Sequence, residues 1–201
     1  MMDKKFVIAT NNSHKVFEFK KILAPLGITC FSLKEMGIVC EAEENGTTFA
    51  ENARIKAKAV FERCGLPSVA DDSGICVDAL DGAPGVYSAR YGGEGLDDEG
   101  RMNLLLKTME REENRAAHFT SAICCLLDAD TVIEAQGHIY GSLLRAPRGE
   151  NGFGYDPIFL PEGHTKSTAE MDPEEKNAIS HRGAALRELV KKLKEYEKNE
   201  Q

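Results

Sequence analysis

Two adjacent acids, Asp71 and Asp72, stand between the apolar pair Val69-Ala70 and Ser73-Gly74. Carboxylates at the end of an apolar run suit a hard divalent cation, and magnesium usually takes one or two of them together with phosphate oxygens and water. One such acid can also serve as general base to an attacking water. The plainer reading of Ala70 to Gly74 is a turn rich in aspartate and serine. The segment alone leaves both readings open.

Thr10-Asn11-Asn12-Ser13-His14-Lys15 closes the apolar run that begins at Lys5. A strand that turns into a helix through small polar residues presents backbone N–H groups and the positive end of the helix dipole to an anion. Thr10 and Asn12 add side-chain hydrogen bonds and Lys15 adds a charge, so the segment suits a phosphate. It reads equally as a helix cap followed by a surface lysine. It is not a P-loop, because the pattern G-x-x-x-x-G-K-[ST] is absent.

Phe153-Gly154-Tyr155-Asp156-Pro157 offers aromatic rings on a flexible backbone, which can stack on a nucleobase, and Asp156 can accept from base N–H groups. A turn with buried aromatics is the ordinary alternative. Lys176 lies just before Ser180-His181-Arg182-Gly183, where His181 and Arg182 can donate to a keto oxygen. A packing histidine and a solvated arginine would look the same. Glu43 and Glu44 belong to an acidic loop and Lys56 to a helix that also carries Arg54 and Lys58. Solvated side chains are the simplest account of those three.

The elements that must position these residues alternate. The run from Lys5 to Thr10 and ITCFSL read as strands, with a helix between them carrying Val16, Phe19 and Leu23 at helical spacing. Thr48 with Glu51 forms a capping box for a helix to about Cys64, which Gly65 and Pro67 stop. Ser68 to Ala70 reads as a strand entering a turn at Asp71 to Gly74, and ICVDAL as its returning partner. Residues 81–95 are rich in glycine and read as loop, after which Asp97 or Asp98 caps a helix through about Glu110. Residues 116–127 and 131–144 read as a hairpin around Asp128-Ala129-Asp130. IFL is a short strand. Asp172-Pro173-Glu174-Glu175 starts a helix with cap, proline and acid in order. Ser180 caps the last one, whose apolar stripe is Leu186, Leu189, Val190, Leu193 and Tyr196. The fold class is α/β with some antiparallel pairing.

The chain has 201 residues, of which 42% are apolar, so it can bury a full core as one domain. Its formal net charge of -8 argues against nonspecific binding to nucleic acid or to an anionic membrane. No apolar run nears the roughly 18 residues that span a bilayer. Met1 to Asp3 and the residues after them lack the features of a signal peptide, which points to the cytoplasm. None of the six cysteines forms a C-x-x-C pair or a zinc-like cluster, so reduced thiols are expected.

Taken together, ATNNSHK (9–15), ENARIKA (51–57), ADDSG (70–74), GAPGVYSARYGG (82–93), GFGYDPIF (152–159) and EEKNAISHRGAAL (174–186) resemble the inosine triphosphate pyrophosphatase family, also called the Ham1 or dITP/XTP pyrophosphatase family. The matches keep the family's order and cover nearly the whole chain. The resemblance implies a single domain over 1–201: a long mixed sheet with flanking helices and two lobes around a central nucleotide-binding cleft, in a homodimer. It implies that Thr10, Asn11, Asn12, Ser13, His14 and Lys15 hold the triphosphate and that Lys56 and Ser73 also touch substrate. Asp72 matches the catalytic acid and, with Glu44, the Mg²⁺ site. Phe153, Gly154, Tyr155 and Asp156 match the base-binding loop. Lys176, His181 and Arg182 match residues that close over the nucleotide and read its six-position oxygen. Asn11 stands where the family usually has glycine, and asparagine tolerates left-handed backbone better than most residues.

The activity so implied is hydrolysis of ITP, dITP and XTP to a monophosphate and pyrophosphate, by water attack on the α-phosphorus, which cleanses the nucleotide pool. Such a step needs positioning and charge neutralisation more than covalent help. Lys15, Lys56 and Lys176 would offset the phosphates. A pyrophosphatase with another base preference, or a nucleotide sensor without catalysis, remains a rival; the presence of both Asp72 and Glu44 favours the enzyme.

Overall fold

The computed structural model describes residues 4–199. The expectations for Met1 to Asp3 and for residues 200–201 of the tail lie outside them. The fold is α/β, built on a mixed six-stranded sheet with flanking helices. Strands β1 (Lys4–Ile8), β2 (Ile28–Ser32), β3 (Ser68–Val77), β4 (Ala116–Leu126), β5 (Val132–Leu143) and β6 (Phe159–Pro161) lie in the order β2-β1-β3-β4-β5-β6. β1 pairs in parallel with β2 and β3, whereas β6 pairs antiparallel with β5. The helices are α1 (Ser13–Leu23), α2 (Phe49–Cys64), α3 (Asp98–Thr108), α4 (Pro173–Ile179) and α5 (His181–Asn199).

The chain divides into two compact units. Unit 1 takes the chain through Asp72, Ser121–Gly137 and everything from Arg182; unit 2 takes Ser73–Thr120 and His138–His181.

In unit 1, strand alternation sends consecutive residues of β1 into two cores. Phe6 and Ile8 pack with Phe19 and Leu23 of α1 and with Leu186, Leu189 and Leu193 of α5. Val7 packs with Ala53, Ala57 and Val60 of α2. A strand covered on both faces carries no polar alternation, which explains its unbroken apolar run. Unit 2 has a core of its own, with Leu105 and Met109 from α3 and its C-terminal end against Ile75, Phe119, Ile158 and Phe159.

Local chemistry sets the helix starts as expected. Thr48 and Glu51 form both bonds of the capping box, and Gly65 ends α2 in the left-handed region at φ 64°. Asp97 caps α3. Asp172 caps α4, with Pro173 in its first turn and a second capping box through Glu175.

One expectation fails. There is no turn at Asp71 to Gly74, because β3 runs unbroken from Ser68 to Val77. Both aspartates find cationic partners, so neither needs to fold back on its own backbone. Gly74 lets the strand pass tightly, since a Cβ there would lie 2.4 Å from the Gly85 carbonyl oxygen and 2.4 Å from Ser88 Oγ. The glycine-rich loop also holds more structure than expected, a 3-10 helix over Gly85–Arg90. Ser88 fixes that helix to β3 by accepting from Ile75 N at 2.9 Å.

All six cysteines are free thiols, with Cys64 and Cys76 only partly buried. Burial pushes the Cys30 and Cys124 thiols up to about 12. Among the described residues no helix is long and apolar enough to cross a membrane.

Candidate active site

Polar groups gather in unit 1 where α1, α2, β3 and α5 carry their charged side chains. At the head of α1, Asn12 is the N-cap, and its Oδ1 accepts from His14 N at 2.9 Å and Lys15 N at 3.1 Å. Asn12 N donates in turn to Thr10 Oγ1 at 3.2 Å. Asn11, Ser13 and His14 are exposed. Asn11 needs no left-handed backbone, since Asp81 is the only non-glycine with positive φ among the described residues. The replacement of the usual glycine therefore costs the turn nothing.

Lys56 was easily mistaken for an exposed helix residue, yet its side chain is only 14% exposed. Its ammonium donates to Asp72 Oδ1 at 2.8 Å and to Glu44 Oε2 at 3.1 Å. Asn52, one turn earlier on α2, donates to Asp72 Oδ2 at 3.3 Å. Burial raises the Asp72 carboxyl above its ordinary value against the pull of Lys56. Burial acts on Glu44 in the same sense, but Lys56 outweighs it and holds Glu44 below its ordinary value.

No three His, Cys, Asp or Glu side chains converge as a ready metal cage among the described residues. Magnesium does not require one, because it keeps water and substrate phosphate in its shell. Two carboxylates that share a single ammonium are a hard-oxygen pair only partly offset by positive charge, and that excess of negative charge fits the ion.

Asp71 points to a different set of partners, as alternation along a strand demands. Its wholly buried carboxylate pairs with Lys15 Nζ at 2.8 Å and with Arg182, whose Nη2 lies at 3.2 Å. Ser121 Oγ donates to its other oxygen at 2.5 Å. Arg182, also buried, pairs with Glu18 of α1 as well. Burial would raise Asp71, but the guanidinium of Arg182 and the ammonium of Lys15 hold it well below the carboxylate range. Lys15 is lowered chiefly by burial, which Asp71 opposes.

Glu18 and Asn52 were missed in the sequence, and Asp71, a candidate metal ligand or base there, has Lys15 and Arg182 as its partners. A signal existed for Asn52, which shares a helical face with Lys56, Ala53 and Ala57. Nothing in the sequence distinguished Glu18 from a solvated acid. Arg182, expected to read a base, has its guanidinium bonded to Asp71 and Glu18.

In unit 2 the loop before β6 gathers a second set. Asp156 Oδ2 accepts from Phe153 N at 2.8 Å and from Lys176 Nζ at 2.6 Å, and its Oδ1 accepts from Thr168 Oγ1 at 3.0 Å. Lys176 Nζ also sits 5.0 Å from the Phe153 ring centroid. Gly152 and Gly154 have positive φ, and a Cβ on Gly152 would lie 2.2 Å from Asp156 Oδ2. Tyr155 belongs to the loop expected to bind the base. Its ring is buried in the core of unit 2, and its hydroxyl donates to the Ser88 carbonyl at 2.8 Å. It braces the loop against the 3-10 helix. His181 is 7% exposed and stacks on Phe119 with centroids 4.8 Å apart. Ser73 is partly buried at the first position of unit 2.

Comparison with known proteins places this geometry in a family. The chain is 46% identical over 195 residues to a dITP/XTP pyrophosphatase of Streptomyces avermitilis, covering 95% of this chain and 98% of the relative. It is 45% identical over 192 residues to the dITP/XTP pyrophosphatase of Bacillus subtilis, covering 94% and 97%. The solved structure of a HAM1 protein from Coxiella burnetii superposes with TM-score 0.87 at 42% identity, over 96% of this chain and 99% of that one. A sequence profile of the Ham1 family matches residues 6–192. The chain belongs to the Ham1 family.

Proposed function

We propose that this protein is a dITP/XTP pyrophosphatase that splits ITP, dITP and XTP into the monophosphate and pyrophosphate. In the cytoplasm such an activity would keep deaminated purines out of DNA and RNA. The relatives carry that name, and the observation that carries the reading in this chain is the set Glu44, Lys56 and Asp72, joined at 2.8 and 3.1 Å through one ammonium.

In this reading Thr10 to Lys15, Lys56 and Ser73 bind the phosphates. Lys15, Lys56 and Lys176 offset their charge. Glu44 and Asp72 would hold Mg²⁺, which supplies charge neutralisation on the phosphate oxygens when bound. Asp72 orients the attacking water and takes its proton, a role that its raised carboxyl suits. Asp71 holds Lys15 in place, and Arg182 with Glu18 holds Asp71.

For the base, Phe153 offers a ring and His181 a donor to the six-position oxygen. Adenine carries an amine there, and an unmatched buried donor costs about 1–3 kcal/mol. ITP, dITP and XTP should therefore exceed ATP by about tenfold to a hundredfold. The reading also includes a homodimer, for which light scattering is the measurement.

The deciding experiment is pyrophosphate release across a panel of nucleoside triphosphates, with and without Mg²⁺. Orthophosphate and a diphosphate as products, or equal turnover of ATP and ITP, would defeat the reading.

A further inference from the structure

Lys56 reaches two carboxylates from separate stretches of unit 1. Glu44 lies in the loop before α2 and Asp72 on β3, at 3.1 and 2.8 Å from the same ammonium. Asn52 occupies the other Asp72 oxygen at 3.3 Å. The ammonium thus fills the place that a counter-cation of this acid pair would take. A magnesium ion on the same oxygens would bind at about 2.0–2.1 Å. It would then stand within a few ångströms of the ammonium, and the two like charges would repel strongly in a partly buried site.

The geometry points to a displacement device: Lys56 is the resident counter-cation of Glu44 and Asp72, and it yields them to a divalent ion when a triphosphate arrives to receive its ammonium. The proposal rests on the metal assignment made above. A lysine suits the task, because its compact charge rides on a flexible four-carbon stem and can move without any shift of α2. Metal and nucleotide would then favour each other through one side chain, and that coupling is reciprocal. The competing role for Lys56, bracing the two carboxylates for the metal, predicts the opposite sign.

The test is Mn²⁺ binding followed by electron paramagnetic resonance, on wild type and Lys56→Met, with and without a saturating α,β-methylene analogue of ITP. Without nucleotide, Lys56→Met should bind Mn²⁺ at least tenfold more tightly, about 1.4 kcal/mol. With the analogue, that advantage should vanish or reverse. Unchanged or weaker binding by the nucleotide-free variant overturns the proposal. Lys56→Gln, which keeps a donor and loses the charge, should move the same way and serves if the methionine variant fails to fold. A Glu44→Gln, Asp72→Asn double variant separates the two layers. If it binds Mn²⁺ like wild type, the metal assignment falls and the displacement with it. If it loses the ion while Lys56→Met gains nothing, only the displacement falls.

Discussion

Lys15 Nζ lies 2.8 Å from a carboxylate oxygen of Asp71, whose side chain is wholly buried. The adjacent Asp72 faces a different cation, Lys56, so β3 serves two lysines with two consecutive acids.

Asp71→Asn would leave Lys15 and Arg182 short of negative charge in a buried setting. Removing one partner of such a network costs about 3–5 kcal/mol. Denaturant unfolding at neutral pH should report that loss. The sign with pH follows from the depressed carboxyl: its stabilisation is present above the unfolded value of about 3.9 and fades as pH falls toward the folded one. Variant and wild type should therefore converge in acid. A neutral-pH difference below about 1 kcal/mol would contradict the buried pairing.

Asp72→Asn should fold and lose about a hundredfold or more in turnover of ITP, in keeping with loss of a positioned base. Pyrophosphate release is the readout. Undiminished turnover by the folded variant would remove Asp72 from the mechanism.

Phe153→Ala should raise KM for ITP more than it lowers kcat, because stacking on a base is worth about 1–3 kcal/mol. Tyr155→Phe should leave KM near wild type and lower stability, since that hydroxyl holds the Ser88 carbonyl. Steady-state kinetics and thermal unfolding of the two variants tell them apart.

Glu35 sits on the surface, yet its carboxyl is lowered to about 2, first by the Lys20 ammonium and then by Ser32. A depressed carboxyl favours the folded state above the unfolded value of about 4.3, and the effect is lost as pH falls toward 2. NMR titration should find Glu35 at about 2 in wild type and substantially higher in Lys20→Met.

Much of the scaffold was legible because its signals are local. The caps of α1 to α4 rest on side chains within three residues of the helix start, and the stripe of α5 repeats within one element. The charge pairs were legible only as candidates. Asp71 with Arg182 spans 111 residues, so no local rule joins them. The turn expected at Asp71 to Gly74 failed for the same reason, because distant cations and the close approach of Gly85 decide the backbone there. Tyr155 and Phe153 are neighbours of one chemical class, and only the tertiary contact with Ser88 separates a buried brace from a partly exposed ring.

The cap at Asn12 has a bearing on how this loop can evolve. Its amide oxygen is spent on two backbone donors at the head of α1. In the proposed reading, where Thr10 to Lys15 bind the phosphates, the amide nitrogen is the end that would face the anion, so one side chain would serve both helix and ligand. Aspartate would start the helix equally well and drive the same anion away. Under that reading only the neutral member of this otherwise interchangeable pair serves both tasks.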